Sequence, residues 1–66
     1  MNDQQLRMVA DGLLKVPEAE SLSGLGRSKL YDLMDRGELP YVKIGRSRRI
    51  PKNALLVFIA KHLKSG

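Results

Sequence analysis

Between Lys43 and Lys52 the chain places Lys43, Arg46, Arg48, Arg49 and Lys52, with no acidic residue among them. Three of these five are arginines, and the planar guanidinium donates forked pairs of hydrogen bonds that match phosphate oxygens and the acceptor edge of guanine. Scattered surface cations only keep a small protein soluble, whereas so focused a cluster points to a polyanion. The charge is also polarised along the chain. Up to Gly26 there are two bases and four acids, a net of −2; beyond it there are ten bases and three acids, a net of +7.

Other chemistry finds little support in the residue types. The single histidine, His62, has no cysteine to join it in a metal site and reads as a partly exposed helix-end residue. Ser21, Ser23, Ser28 and Ser47 lack a paired base, and Glu18 and Glu20, two apart on a helix, turn to different faces. Gly24-Leu25-Gly26 lacks the preceding strand and the lysine-serine ending of a phosphate loop. A chain of 66 residues buries only about 60% of its unfolded surface, which leaves little interior for a substrate pocket. No enzymatic activity, cofactor or metal is therefore expected.

With 42% hydrophobic and 29% charged residues and no cysteine, one globular domain held by packing alone is expected. The longest uninterrupted apolar run, Ala54 to Ala60, is seven residues, far short of the roughly 20 of a membrane span. The amino terminus, MNDQQLRMVAD, lacks the basic and then apolar pattern of a secretory signal. A cytoplasmic, nucleoid-associated protein with no membrane contact is the expectation.

The cationic cluster must be carried by short elements. Residues 1–12 form an amino-terminal arm or a short helix, with Leu6, Val9 and Leu13 at helical spacing and Asn2 or Asp3 available as a cap. Pro17 to Ser23 predicts a second short helix, with Val16, Ala19 and Leu22 on one face. A third runs from about Arg27 to Arg36, with Leu30, Leu33 and Met34 inward, Arg27, Ser28, Lys29, Tyr31 and Asp32 outward, and Gly37 as its left-handed terminator. Tyr41 to Ile44 and Arg48 to Ile50 predict a hairpin about Gly45-Arg46-Ser47. Alternation puts Val42, Ile44 and Ile50 inward and Lys43 and Arg49 outward. From Pro51 a last helix to about Lys64 closes the core through Leu55, Phe58, Ile59 and Leu63. The fold class is mainly α with a small β-hairpin, a helix-turn-helix with a wing, over residues 13–66.

The run from Leu13 to Ile59 resembles the small winged helix-turn-helix domains of the excisionase family, relatives of the MerR-type DNA-binding domain. The resemblance lies in Arg27-Ser28-Lys29-Leu30-Tyr31, Arg36-Gly37-Glu38-Leu39-Pro40, Lys43-Ile44-Gly45-Arg46 and Arg49-Ile50-Pro51, taken in this order and spacing. It implies that Arg27, Ser28, Lys29 and Tyr31 face a DNA major groove. It likewise implies that Lys43, Arg46, Ser47, Arg48 and Arg49 of the wing contact the adjacent backbone or minor groove. Tyr31 can instead pack against the wing. Departures from the family pattern are Gly26 for a capping Ser or Thr, Lys15 for a capping Thr and Ser23 for a leucine, the last two weakening their region slightly. Leu56-Val57 stands where glutamates are usual, and these two residues either pack on Leu6 and Val9 or form a contact surface.

The function so implied is that of a sequence-specific double-stranded DNA binder, a recombination directionality factor assisting an integrase, with copies on adjacent sites. A small transcriptional regulator of a mobile genetic element, acting at a promoter, is the alternative. MerR regulators continue into a dimerisation helix and an effector domain, and the chain ends at Gly66, so no ligand sensor is expected. A basic RNA-binding or protein-interaction module is the alternative of another class, with only Tyr31 and Tyr41 to stack on bases.

Overall fold

The computed structural model describes residues 2–64; Ser65 and Gly66, the last two residues of the expected domain, lie outside the described residues. Seven elements follow in the order α1 (Asp3–Val9), β1 (Leu13–Leu14), α2 (Val16–Ser23), α3 (Arg27–Asp35), β2 (Val42–Ile44), β3 (Ser47–Pro51) and α4 (Lys52–Lys61). The amino-terminal segment is helical because Asn2 and Gln5 cap it reciprocally. The Gln5 N–H donates to Asn2 Oδ1 at 2.8 Å and the Asn2 N–H to Gln5 Oε1 at 2.9 Å, which satisfies donors that the first turn leaves without partners.

The α2–turn–α3 unit is built from local bonds. Glu18 Oε1 accepts from the Lys15 N–H at 2.9 Å, so the first turn is capped from within although residue 15 offers no side-chain acceptor. Ser23 ties the turn at the other end: its Oγ donates to the Ala19 carbonyl at 2.7 Å and accepts from the Leu25 N–H at 3.1 Å. The two departures expected to weaken this region are thus each matched by a hydrogen bond. Gly37 has φ +76°, and with it the chain folds back so that the Glu38 and Leu39 N–H groups both donate to the Leu33 carbonyl, at 2.9 and 3.2 Å. This closes α3 in the manner of a left-handed cap and buries Leu39 completely.

The sheet has three strands in the order β1-β3-β2, all antiparallel. Strand β1, which adds to the expected hairpin, pairs Leu13 with Pro51 and Leu14 with Ile50. The hairpin tip is two residues, Gly45 and Arg46, with Gly45 at φ +62°. A glycine of positive φ at the first central position is the turn whose twist suits paired strands.

The ladder also corrects the expected facing of the wing. Val42 lies opposite Arg49, Lys43 opposite Arg48 and Ile44 opposite Ser47, and residues opposed across a ladder point to the same side. Arg48 and Lys43 therefore share the side of buried Ile50 and of Leu14. Val42 and Ile44 share the other side with Arg49, and Ile44 is 58% exposed. They do not form an apolar base with Ile50.

The core joins Val16 and Ala19 of α2, Leu30, Leu33 and Met34 of α3, Leu39, Ile50 of β3 and Leu55 of α4, flanked by Leu14, Leu25, Tyr31, Tyr41 and Phe58. Leu22, Ile59 and Leu63, expected inside, are exposed, and Leu63 lies beyond the end of α4 at Lys61. Helix α1 docks on α4, yet Leu56 and Val57 remain 43% and 51% exposed and Leu6 is exposed as well. The expected burial of Leu56 and Val57 under the amino-terminal segment is therefore incomplete.

Candidate nucleic-acid interface

Helix α3 presents a cationic amino end. Gly26 caps it with backbone alone, and its first turn holds Arg27 and Lys29 and no acid. The unpaired N–H groups and the positive end of the helix dipole thus lie beside two side-chain cations. Toward the other end, Arg36 Nε lies 3.2 Å from Asp32 Oδ2 and Arg36 Nη1 lies 3.9 Å from Glu38 Oε2. Asp32 of this helix and Glu38 just beyond it are thereby engaged with Arg36 instead of confronting an incoming phosphate alone.

The junction between α3 and the wing is made by side chains. Arg27, Tyr31 and Asp35 are spaced four apart and form one stripe along α3. The Arg48 guanidinium lies 5.0 Å from the centre of the Tyr31 ring and 4.6 Å from that of Tyr41, while its Nη1 donates to Asp35 Oδ1 at 3.0 Å. Arg27 stacks on the same Tyr31 ring at 5.4 Å. The first turn of α3 and the middle of β3 thus meet at one tyrosine.

Of the residues expected at the interface, Arg27, Tyr31 and Arg48 are brought into this cluster. Ser28 and Lys29 are exposed on α3, and Lys43, Arg46 and Ser47 are exposed about the hairpin tip. Arg49 is half-buried opposite Val42. Asp35 and Tyr41 complete the cluster, and neither is among the residues expected to face duplex DNA. The signal for Asp35 was its spacing of four from Tyr31; for Tyr41 no comparable pattern existed, since it precedes the strand in an irregular segment.

His62, set aside on sequence grounds, is exposed beyond α4, with its Nδ1 2.8 Å from the Phe58 carbonyl oxygen and its ring 4.3 Å from that of Phe58. Among the described residues no group of three or more His, Cys, Asp or Glu could hold a metal ion. No helix of the described residues is long and apolar enough to cross a membrane.

Comparison with known proteins decides the family. The model of a helix-turn-helix domain family matches residues 13–63. A protein of Streptomyces ambofaciens described as an excisionase is 42% identical over 55 residues, which cover 83% of this chain and 89% of that protein. The chain belongs to the excisionase family of helix-turn-helix domains. A probable excisionase of Saccharopolyspora erythraea is 49% identical over 49 residues, 74% of this chain. The match spans only half the length of that second relative. No solved structure matches the chain significantly. As an excisionase-family domain the chain carries its helix-turn-helix in α2 and α3 and its wing in β2 and β3, and the family match begins at β1, leaving α1 outside it.

Proposed function

We propose that this excisionase-family domain binds double-stranded DNA sequence-specifically and acts by binding, without a catalytic step, as a recombination directionality factor that assists an integrase. The observation that carries the reading is the meeting of the amino end of α3 with the wing at Tyr31, which sets a cationic helix end and a cationic hairpin side by side. A single duplex can then receive both. Arg27, Ser28 and Lys29 would address base edges in the major groove, and Lys43, Arg46, Ser47 and Arg49 the flanking phosphates. The descriptions of both relatives support the recombination role. Such a protein works in the cytoplasm on the nucleoid. With so small a surface per copy, occupancy of neighbouring sites supplies the affinity that one module lacks.

The test is an NMR titration with duplexes selected by the protein from a random pool, in competition with RNA at equal salt. Amide shifts concentrated in residues 27–31 and 43–49 and retained against excess RNA are expected; unmoved amides, or a preference for RNA, would refute the reading. Footprints at an attachment site rather than a promoter distinguish the recombination role from transcriptional regulation.

A further inference from the structure

We infer that Arg48 is a positioning residue, a clasp that fixes the wing against α3, and that it is not one of the wing's phosphate contacts. The inference rests on the reading of the site as a duplex-DNA interface. Arg48 and Arg49 are neighbours with opposite settings. Arg49 faces the side of Val42 and Ile44; Arg48 faces the side of Ile50 and so looks toward α3. Its side chain is 24% exposed, far less than the 63% of its partner Asp35. The guanidinium is near both tyrosine rings, and one of its nitrogens is spent on the carboxylate. A cation so enclosed has little left to offer a phosphate.

The fold needs such a clasp. Strand β3 packs chiefly on β1, β2, α2 and α4, and the hairpin is anchored by β1 only at its base, through Leu13–Pro51 and Leu14–Ile50. Beyond Ile50 it runs out as two strands, and an isolated two-stranded hairpin is barely stable in water. Among the described residues, Arg48–Asp35 is the one ion pair that links the hairpin to α3. The Arg48 guanidinium also lies over both the Tyr31 and the Tyr41 ring. Both rings are half-buried, and a cation held over two rings at once has little freedom to reorient.

A clasp and a phosphate contact have different thermodynamic signatures. Releasing a clasp lets the wing wander while Lys43, Arg46 and Arg49 keep their charge. The loss then falls on duplexes that demand a fixed spacing between helix and wing, and the salt dependence is preserved. Removing a phosphate contact weakens all duplexes and lowers the slope of log K against log salt by about 0.9 per contact.

The test uses the full chain, with selected and random duplexes over a range of salt, and the variants R48K, R48A, Y31F, Y31A and, for comparison, R49A. R48K keeps the charge but not the planar surface. R48K and R48A should each lose about tenfold on the selected duplex, the scale of two half-buried cation–π contacts, with little loss on random duplex and an unchanged salt slope. Y31F keeps the ring that Arg48 lies over and should leave the Arg48 proton shifts in place, whereas Y31A should bind as R48A does. Retention of binding in R48K, or a slope lowered in R48A as in R49A, would overturn the inference.

NMR of the free protein gives a readout independent of DNA. The Arg48 side-chain protons should be shifted upfield by the two rings and lose part of that shift in Y31A. Random-coil Arg48 shifts in a chain that binds duplex would overturn the clasp alone. Shifted Arg48 protons in a chain that binds no duplex would overturn the reading of the site, and the positioning role with it.

Discussion

Asn53 Nδ2 donates to the backbone carbonyl of Arg7 at 3.1 Å, joining α4 to the carboxyl end of α1 across 46 residues of sequence. A second bond, from the Lys52 N–H to the Gly12 carbonyl at 3.1 Å, ties the same two regions one step earlier. The helix outside the family match is thus fastened to the domain at the start of α4, and the one side-chain bond of the two is that of Asn53.

Replacing Asn53 with alanine should free α1 while sparing the core. One net hydrogen bond contributes about 0.5–1.5 kcal/mol, and α1, with seven residues, is too short to persist undocked. The expected result is faster amide exchange across residues 3–10 and a small fall in Tm, with exchange at Leu30, Leu33 and Ile50 little changed. Equal acceleration in the core would show that α1 is integral to the cooperative unit.

Leu39 to alanine should be far more damaging. This side chain is fully buried beside Leu30, Ile50 and Leu55, in a chain too small to have core to spare. Leucine to alanine in such a place costs about 2–5 kcal/mol, a large share of the 5–15 kcal/mol typical of a domain. Urea denaturation followed by circular dichroism reads this directly, and a cost below about 1 kcal/mol would contradict the burial.

Leu39 also shows why parts of the fold were hard to read. It lies in irregular chain after α3, where no periodicity marks it as inward; only the fold-back about Gly37 puts it inside. Strand β1 escaped notice because two residues carry no alternation and their partners lie far along the sequence. Helix α3 and the hairpin were legible since Gly37, Pro40 and Gly45 punctuate the chain at their ends. The facing of the wing differs from expectation because apolar Val42 and Ile44 do not share a side with Ile50. Across a hairpin the turn length sets the register, and a two-residue tip puts Arg48, not Arg49, toward the core side. The clasp at Arg48 depends on that register, so it could not be read from composition or charge.

At Gly37 the expected cost is conformational and not steric. Its φ is +76° and a Cβ placed there would meet nothing within 4 Å, so alanine should destabilise by about 1 kcal/mol, the left-handed penalty alone. Asparagine, which tolerates that region, should cost less, and valine more than either. Tm values of the three variants check the order; equal losses for asparagine and valine would mean that something other than backbone strain is being measured.

Lys29 and Arg49 should separate recognition from affinity. Lys29 is exposed on the amino half of α3, the part of a recognition helix that reaches base edges, whereas Arg49 lies on the wing outside the Arg48 clasp. Lys29→Ala should therefore change which duplexes are preferred, with a loss of about 1–3 kcal/mol on the favoured site and little on random DNA. Arg49→Ala should weaken selected and random duplex alike and reduce the salt slope by about one contact. Binding isotherms for both duplexes at several salt concentrations measure the two effects together. Parallel losses for the two variants on both duplexes would place Lys29 on the phosphate backbone and move the reading of sequence elsewhere on α3, to Arg27 and Ser28.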